Sequence, residues 1–168
     1  MDVVITLGVD PGTALLGFGL VRGEDDAELI EFGVVSTTNL ETMPQRLVRV
    51  YDVIWELIRR HAPDVLAIEQ LFFARNVTTA LAVGQARGVV LLAAAQHGMP
   101  VFEYKPAEVK QAISGYGNAD KAQMQEMVRI LLGMDDIPRP DDAADALAVA
   151  LCHVHSSRWT RLYGVPAR

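Results

Sequence analysis

Apolar and polar positions divide the chain into a strand-rich opening and a longer stretch in which helices and strands alternate. Val3–Val9 is a continuous apolar run, the pattern of a central strand buried on both faces. Asp10-Pro11-Gly12-Thr13 carries turn chemistry, and Leu15–Val21 predicts a second strand that closes a hairpin. The acidic stretch Gly23–Glu28 predicts another turn before a third strand at Leu29–Ser36. From Pro44 to His61, Leu47, Val50, Tyr51, Ile54 and Ile58 recur at helical spacing, and Ala62-Pro63-Asp64 ends that helix. Val65–Glu69 is the next strand; because a helix precedes it, it returns parallel to the first. Val77–His97 predicts a long helix, capped by Asn76 and stopped by Gly98. It is apolar nearly all round, with Ala80, Gly84 and Gly88 at four-residue spacing, as in a helix central to the domain or shared with a second subunit. A fifth strand at Val101–Tyr104 and helices over Pro106–Ser114, Asp120–Leu132 and from Asp141 onward complete the pattern. The Gly115-Tyr116-Gly117-Asn118 loop is expected to be mobile. These elements predict one mixed α/β domain over residues 1–157 and a basic tail over 158–168.

Composition narrows the setting. With 168 residues, 51% hydrophobic and 21% charged, the chain can bury one substantial core. An acid at Asp2 stands where an export signal would be positive, and Gln85 and Arg87 interrupt the longest apolar stretch. Cys152 is alone, which excludes an internal disulfide and suits a reducing cytoplasm. The expectation is a cytoplasmic protein with no membrane partner. The net charge of −6 weighs against a nucleic-acid ligand until its distribution is seen: −7 over residues 1–70, +2 over 71–121 and −1 over 122–168. A basic middle segment permits DNA binding.

Candidate chemistry lies in four acids. Asp10 follows the first apolar run, Glu69 closes VLAIE, and Asp142 and Asp145 open DAADALAVA. Carboxylates at sheet rims, joined by two acids three apart on a helix, would repel strongly unless a cation sat among them. Hard divalent ions such as Mg²⁺ prefer such oxygens and retain waters for substrate phosphates. Helix capping accounts for Asp141 or Asp142, whereas Asp145 lies past the free amides, beside the apolar stripe of Ala144, Leu147, Ala148 and Leu151. The pattern points to metal-assisted phosphoryl chemistry.

The segments GVDPGTALLGFGLV, IEQLFFARNVTTALAVGQARG and PDDAADALAVALCHVH resemble the RuvC family of Holliday junction resolvases, in the expected order and over nearly the whole chain. The resemblance implies a ribonuclease H-like fold, with a five-stranded mixed sheet flanked by helices, and a homodimer. It places the catalytic, metal-binding acids on Asp10, Glu69, Asp142 and Asp145, holding two Mg²⁺ ions per site, with Mn²⁺ as a substitute. It implies symmetric nicking of two like-polarity strands of four-way junction DNA, leaving 5′-phosphate ends, in partnership with a RuvA–RuvB branch-migration complex. Lys110 and Lys121 match positions where the family sets basic residues near the cleaved backbone. Phe72 matches an aromatic that stacks on unpaired bases, with Phe73 the alternative ring, and Arg75 and Arg87 are further phosphate candidates; Arg87 could equally bridge within a dimer.

Other signals are weaker. GVDPGT lacks the Gly-Lys-Ser/Thr of a Walker loop. The turn also occurs in actin-like ATPases, but those need two lobes and this chain is too short for both. Adjacent helical side chains splay apart, so Cys152, His153 and His155 are expected to be helix-end residues facing the carbonyl terminus and not zinc ligands. Tyr51, Trp55 and Met124 read as packing. Another ribonuclease H-like nuclease, or a non-catalytic junction-binding dimer, stands as the alternative function.

Overall fold

The computed structural model describes residues 3–12, 14–70 and 76–163. Its strands are β1 (Ile5–Pro11), β2 (Leu15–Arg22), β3 (Glu28–Ser36), β4 (Val65–Glu69) and β5 (Val101–Tyr104). They form one sheet in the order β3-β2-β1-β4-β5, antiparallel on the β3-β2-β1 side and parallel from β1 through β4 to β5. The helices are α1 (Met43–His61), α2 (Val77–Gln96), α3 (Pro106–Ser114), α4 (Lys121–Leu131) and α5 (Asp141–Tyr163). Residues 158–163, expected to begin the basic tail, continue α5.

The first correction concerns the opening hairpin. Asp10 and Pro11 are paired strand residues, opposite Gly17 and Leu16, and do not belong to the turn. A proline is tolerated at a strand end, so the ladder runs two residues further than turn chemistry implied.

Alternation along the strands assigns each side chain to a face. Leu7, Val9, Leu16, Phe18, Leu20, Leu66 and Ile68 pack with Val50, Ile54 and Leu57 of α1 and Val90, Ala93 and Ala94 of α2. The opposite face presents Thr6, Gly8, Asp10, Gly17, Gly19, Val21, Ala67 and Glu69. Most are small, and α5 lies directly on them. A Cβ on Gly8 would stand 2.2 Å from the Ala146 carbonyl oxygen, and one on Gly17 would stand 1.9 Å from that of Asp142. Glycine is required at both by this backbone approach. Leu147, Ala148, Val149 and Leu151 of α5 then form the second core with Val109 and Ile113 of α3 and Met124 and Val128 of α4.

Thr6 is fully buried on this face, and its Oγ1 has no hydrogen-bond partner among the described residues. An orphaned hydroxyl costs more than a methyl in the same place. Thr6→Val is therefore expected to stabilise the fold by about 1 kcal/mol, read as a higher urea midpoint with unchanged slope.

Three further expectations are corrected. The Ser114–Asp120 loop is pinned: Ser114 Oγ donates to the Tyr116 carbonyl at 2.9 Å, Gln111 Nε2 donates to Gly115 O at 3.0 Å, and Ala119 N donates to Tyr116 O at 3.2 Å. His153 is not at a helix end, because α5 continues ten residues past it to Tyr163. It is buried, its Nδ1 lies 2.7 Å from the Tyr104 hydroxyl, and burial lowers its pKa to about 4. His155 Nδ1 meets the Ala112 carbonyl of α3 and not its own helix terminus. Finally, Arg87 pairs at 2.8 Å with Glu103 of β5, as an intrachain clamp between α2 and the sheet edge. Among the described residues α2 is the one helix long and apolar enough to cross a membrane by length and composition. In the fold it packs along α1 and β1 with the Arg87 pair near its middle.

Candidate active site

The β1–β4 register pairs Gly8 with Ala67 and Val9 with Ile68. Continuing it sets Glu69 beside Asp10, on the same face of the sheet. On β2 the partner of Asp10 is Gly17, and on Gly17 rests the Asp142 backbone. One turn along α5, Asp145 follows Asp142 on neighbouring helix positions. Two adjacent strands and the start of one helix thus deliver the four predicted acids to one end of the sheet.

Their electrostatics record the convergence. Burial lifts the Asp10 carboxyl to about 7, reinforced by the charges of Asp145, Glu69 and Asp142 and opposed by Lys121. Glu69 is also raised, by burial and then by Asp145, with Lys110 opposing. Asp145 is raised chiefly by burial, with the Lys121 charge acting against it. Among the described residues, no three Asp, Glu, His or Cys side chains close around a single point. Carboxylates facing one another across a cleft can share a strong field without meeting, because like charges hold them apart.

A pocket of about 280 Å³ opens beside the acids, rimmed by Glu69, Asp145, Lys110 and Lys121 over a floor of Val109, Met124 and Val149. Both predicted lysines therefore reach the wall of the acidic cleft. Lys121 Nζ is 3.1 Å from Asp141 Oδ2 and 3.8 Å from Asp145 Oδ2. Phe72, Phe73 and Arg75 lie outside the described residues. Sequence reasoning missed Asp141, which was taken for a helix cap. It is bound by Lys121, by Gln125 Nε2 at 2.9 Å and by Arg139 Nη1 at 2.6 Å. The acid doublet Asp141-Asp142, with a lysine and a glutamine four apart on the preceding helix, was the available signal.

The donor set is oxygen only. Four carboxylates suit a hard divalent ion such as Mg²⁺, and the nearby Cys152 is buried in the second core, bound up with packing. Acids on two adjacent central strands, closed by a helix laid on their glycines, form an oxygen-only cleft suited to hard divalent cations.

The family model described as crossover junction endodeoxyribonuclease RuvC matches residues 6–153. A RuvC of Thermomicrobium roseum is 58% identical over 156 residues, covering 93% of this chain and 96% of the relative. A RuvC of Chloroflexus aggregans is 53% identical over 160 residues, covering 95% and 98%. The solved structure of T. thermophilus RuvC in complex with Holliday junction substrate superposes with a TM-score of 0.90 at 40% identity, covering 93% of this chain and 96% of that one. The chain belongs to the RuvC family of crossover junction endodeoxyribonucleases.

Proposed function

We propose that this protein resolves four-way DNA junctions by nicking two strands of like polarity, with Asp10, Glu69, Asp142 and Asp145 holding a pair of Mg²⁺ ions that Mn²⁺ can replace. The observation that carries this reading is the convergence of Glu69, Asp142 and Asp145 on Asp10 at one end of the sheet, where burial first and their charges second lift its carboxyl to about 7. A relative with nearly the same backbone has been solved with a Holliday junction substrate, which supports the choice of DNA.

When bound, paired divalent ions supply an activated water and stabilise the charge on the departing 3′ oxygen, leaving a 5′-phosphate end. The chain's own residues do the remainder. Asp10, on the central strand between the other acids, would share in holding the ions with Glu69, Asp142 and Asp145. Lys110 and Lys121 stand on the pocket wall next to Glu69 and Asp145, where they meet the phosphates flanking the cleaved bond. The apolar floor beneath them keeps water away from the far side of that backbone. Phe72, or Phe73 beside it, stacks on unpaired bases, and Arg75 contacts phosphate nearby.

Paired nicks require two copies of the site. On α2, Val77, Leu81 and Leu92 are exposed, and a Cβ on Gly88 would meet nothing within 4 Å. An exposed apolar helix face with a glycine in open space is suited to close approach by a second copy, so α2 is the proposed homodimer seat. A RuvA–RuvB branch-migration complex is the proposed partner, in the cytoplasm where chromosomal junctions arise.

The reading is tested by comparing four-way junctions, linear duplex and RNA–DNA hybrid as substrates, with and without Mg²⁺. Ligatable paired nicks in the junction alone, and only with the metal, are expected; preferential cutting of hybrid or duplex would overturn it. Lys121→Ala should lower the slope of log affinity against log salt by about 0.9, so its deficit is largest at low salt. A parallel, unchanged slope would remove Lys121 from the DNA contact.

A further inference from the structure

Asp141 belongs to none of the four acids, yet it is the most heavily bound carboxylate in the cleft. Lys121 Nζ, Gln125 Nε2 and Arg139 Nη1 reach it from three sides, at 3.1, 2.9 and 2.6 Å. Gln125 is 6% exposed, a polar side chain set into the packed wall of α4, and its amide fixes the direction of the Asp141 carboxylate. Lys121 opens α4 directly after Asp120, whose own carboxylate accepts from the Gln123 backbone N–H at 2.8 Å. Two acids stand within ion-pair distance of the lysine. Asp141 takes it at hydrogen-bond distance, while Asp145 stands at 3.8 Å.

The geometry points to Asp141 as a positioning residue: it draws the Lys121 ammonium away from Asp145, leaving that carboxylate open to a divalent cation and the lysine poised at the pocket mouth for a phosphate. This rests on the proposed role of Asp145 as a metal ligand. An ammonium and a divalent ion compete for the same carboxylate oxygens, so an anchored lysine preserves metal affinity where a free one would erode it. Partners held behind metal ligands commonly set affinity in this way. Asp141 itself touches neither metal nor substrate in this role.

Isothermal titration of the DNA-free protein with Mg²⁺ tests the inference without reference to cleavage. Asp141→Asn should weaken Mg²⁺ binding about two- to fivefold, the range of a part-exposed ion pair. Asp141→Glu should restore it. In a Lys121→Met background, Asp141→Asn should lose most of that effect, because no ammonium remains to move onto Asp145. The Asp141 side chain is part-exposed, so these changes leave the cores intact. An equal effect with and without Lys121 would show that Asp141 acts only through its own charge, and would overturn the inference while leaving the metal site in place. No effect of Asp141→Asn would overturn it too. A wild-type protein that binds no Mg²⁺ would instead sink the proposed function, and this inference with it.

Discussion

Asp10→Asn is expected to reduce junction cleavage by ~10³-fold or more while junction binding is retained. The same substitution should make the metal-free protein more stable. Folding lifts the Asp10 carboxyl from 3.8 to about 7, so above pH 7 the charged form opposes the fold by as much as about 4 kcal/mol. Between these values the folded state holds the proton that the unfolded state has lost. The contribution of Asp10 to stability therefore improves as pH falls from about 7 towards 3.8. An asparagine has no charge to accommodate, and the advantage of the variant should be largest at pH 8 and vanish near pH 4. His153, held neutral with its pKa lowered to about 4, acts in the opposite direction in both proteins and cancels in the difference. Saturating Mg²⁺ at pH 8 should narrow the gap, since a cation among the acids relieves the wild type alone. Urea unfolding at a series of pH values, with and without Mg²⁺, measures all of this.

Gly17→Ala is expected to cost about 3 kcal/mol or more and to abolish cleavage, although glycine 17 bears no functional group. Its new methyl would lie 1.9 Å from the Asp142 carbonyl oxygen and 2.4 Å from the carbonyl carbon. Neither is a flexible side chain that can swing away, so α5 must lift from the sheet at its first turn. That turn carries Asp142, and Asp145 follows it. A fold that remained cooperative would still hold these acids away from Asp10 and Glu69. Circular dichroism, denaturant unfolding and junction cleavage, compared with wild type, separate the two losses.

The apolar runs made the element order, the five strands and the parallel return of Val65–Glu69 legible in the sequence. A central strand and a core helix bury so much surface that their patterns survive in one chain. The four acids were legible because carboxylates next to such runs need a reason to be there. The close seating of α5 was encoded as well, in the alternation of Gly17 with Gly19 opposite Gly8, but a strand glycine shows what approaches it only once the helix is in place. Pro11 concealed the end of β1 because proline signals a turn until its pairing with Leu16 is known. His153 lies too far from the end of α5 to meet its terminal carbonyls, and its partner, the Tyr104 hydroxyl, comes from β5, a pairing that helix position alone does not reveal. The hydrogen bonds that pin Gly115–Ala119 join near neighbours through Ser114 and Gln111, a local geometry that loop composition does not reveal. Asp141 escaped because a helix-opening acid has an adequate explanation as a cap; only the positions of Lys121, Gln125 and Arg139 show what it binds.

Anomalous diffraction from crystals grown with Mn²⁺ tests most directly whether β1, β4 and α5 build one metal centre. Two peaks about 4 Å apart, bounded by Asp10, Glu69, Asp142 and Asp145, are the predicted result. Saturating manganese with no peak among those four carboxylates would contradict it.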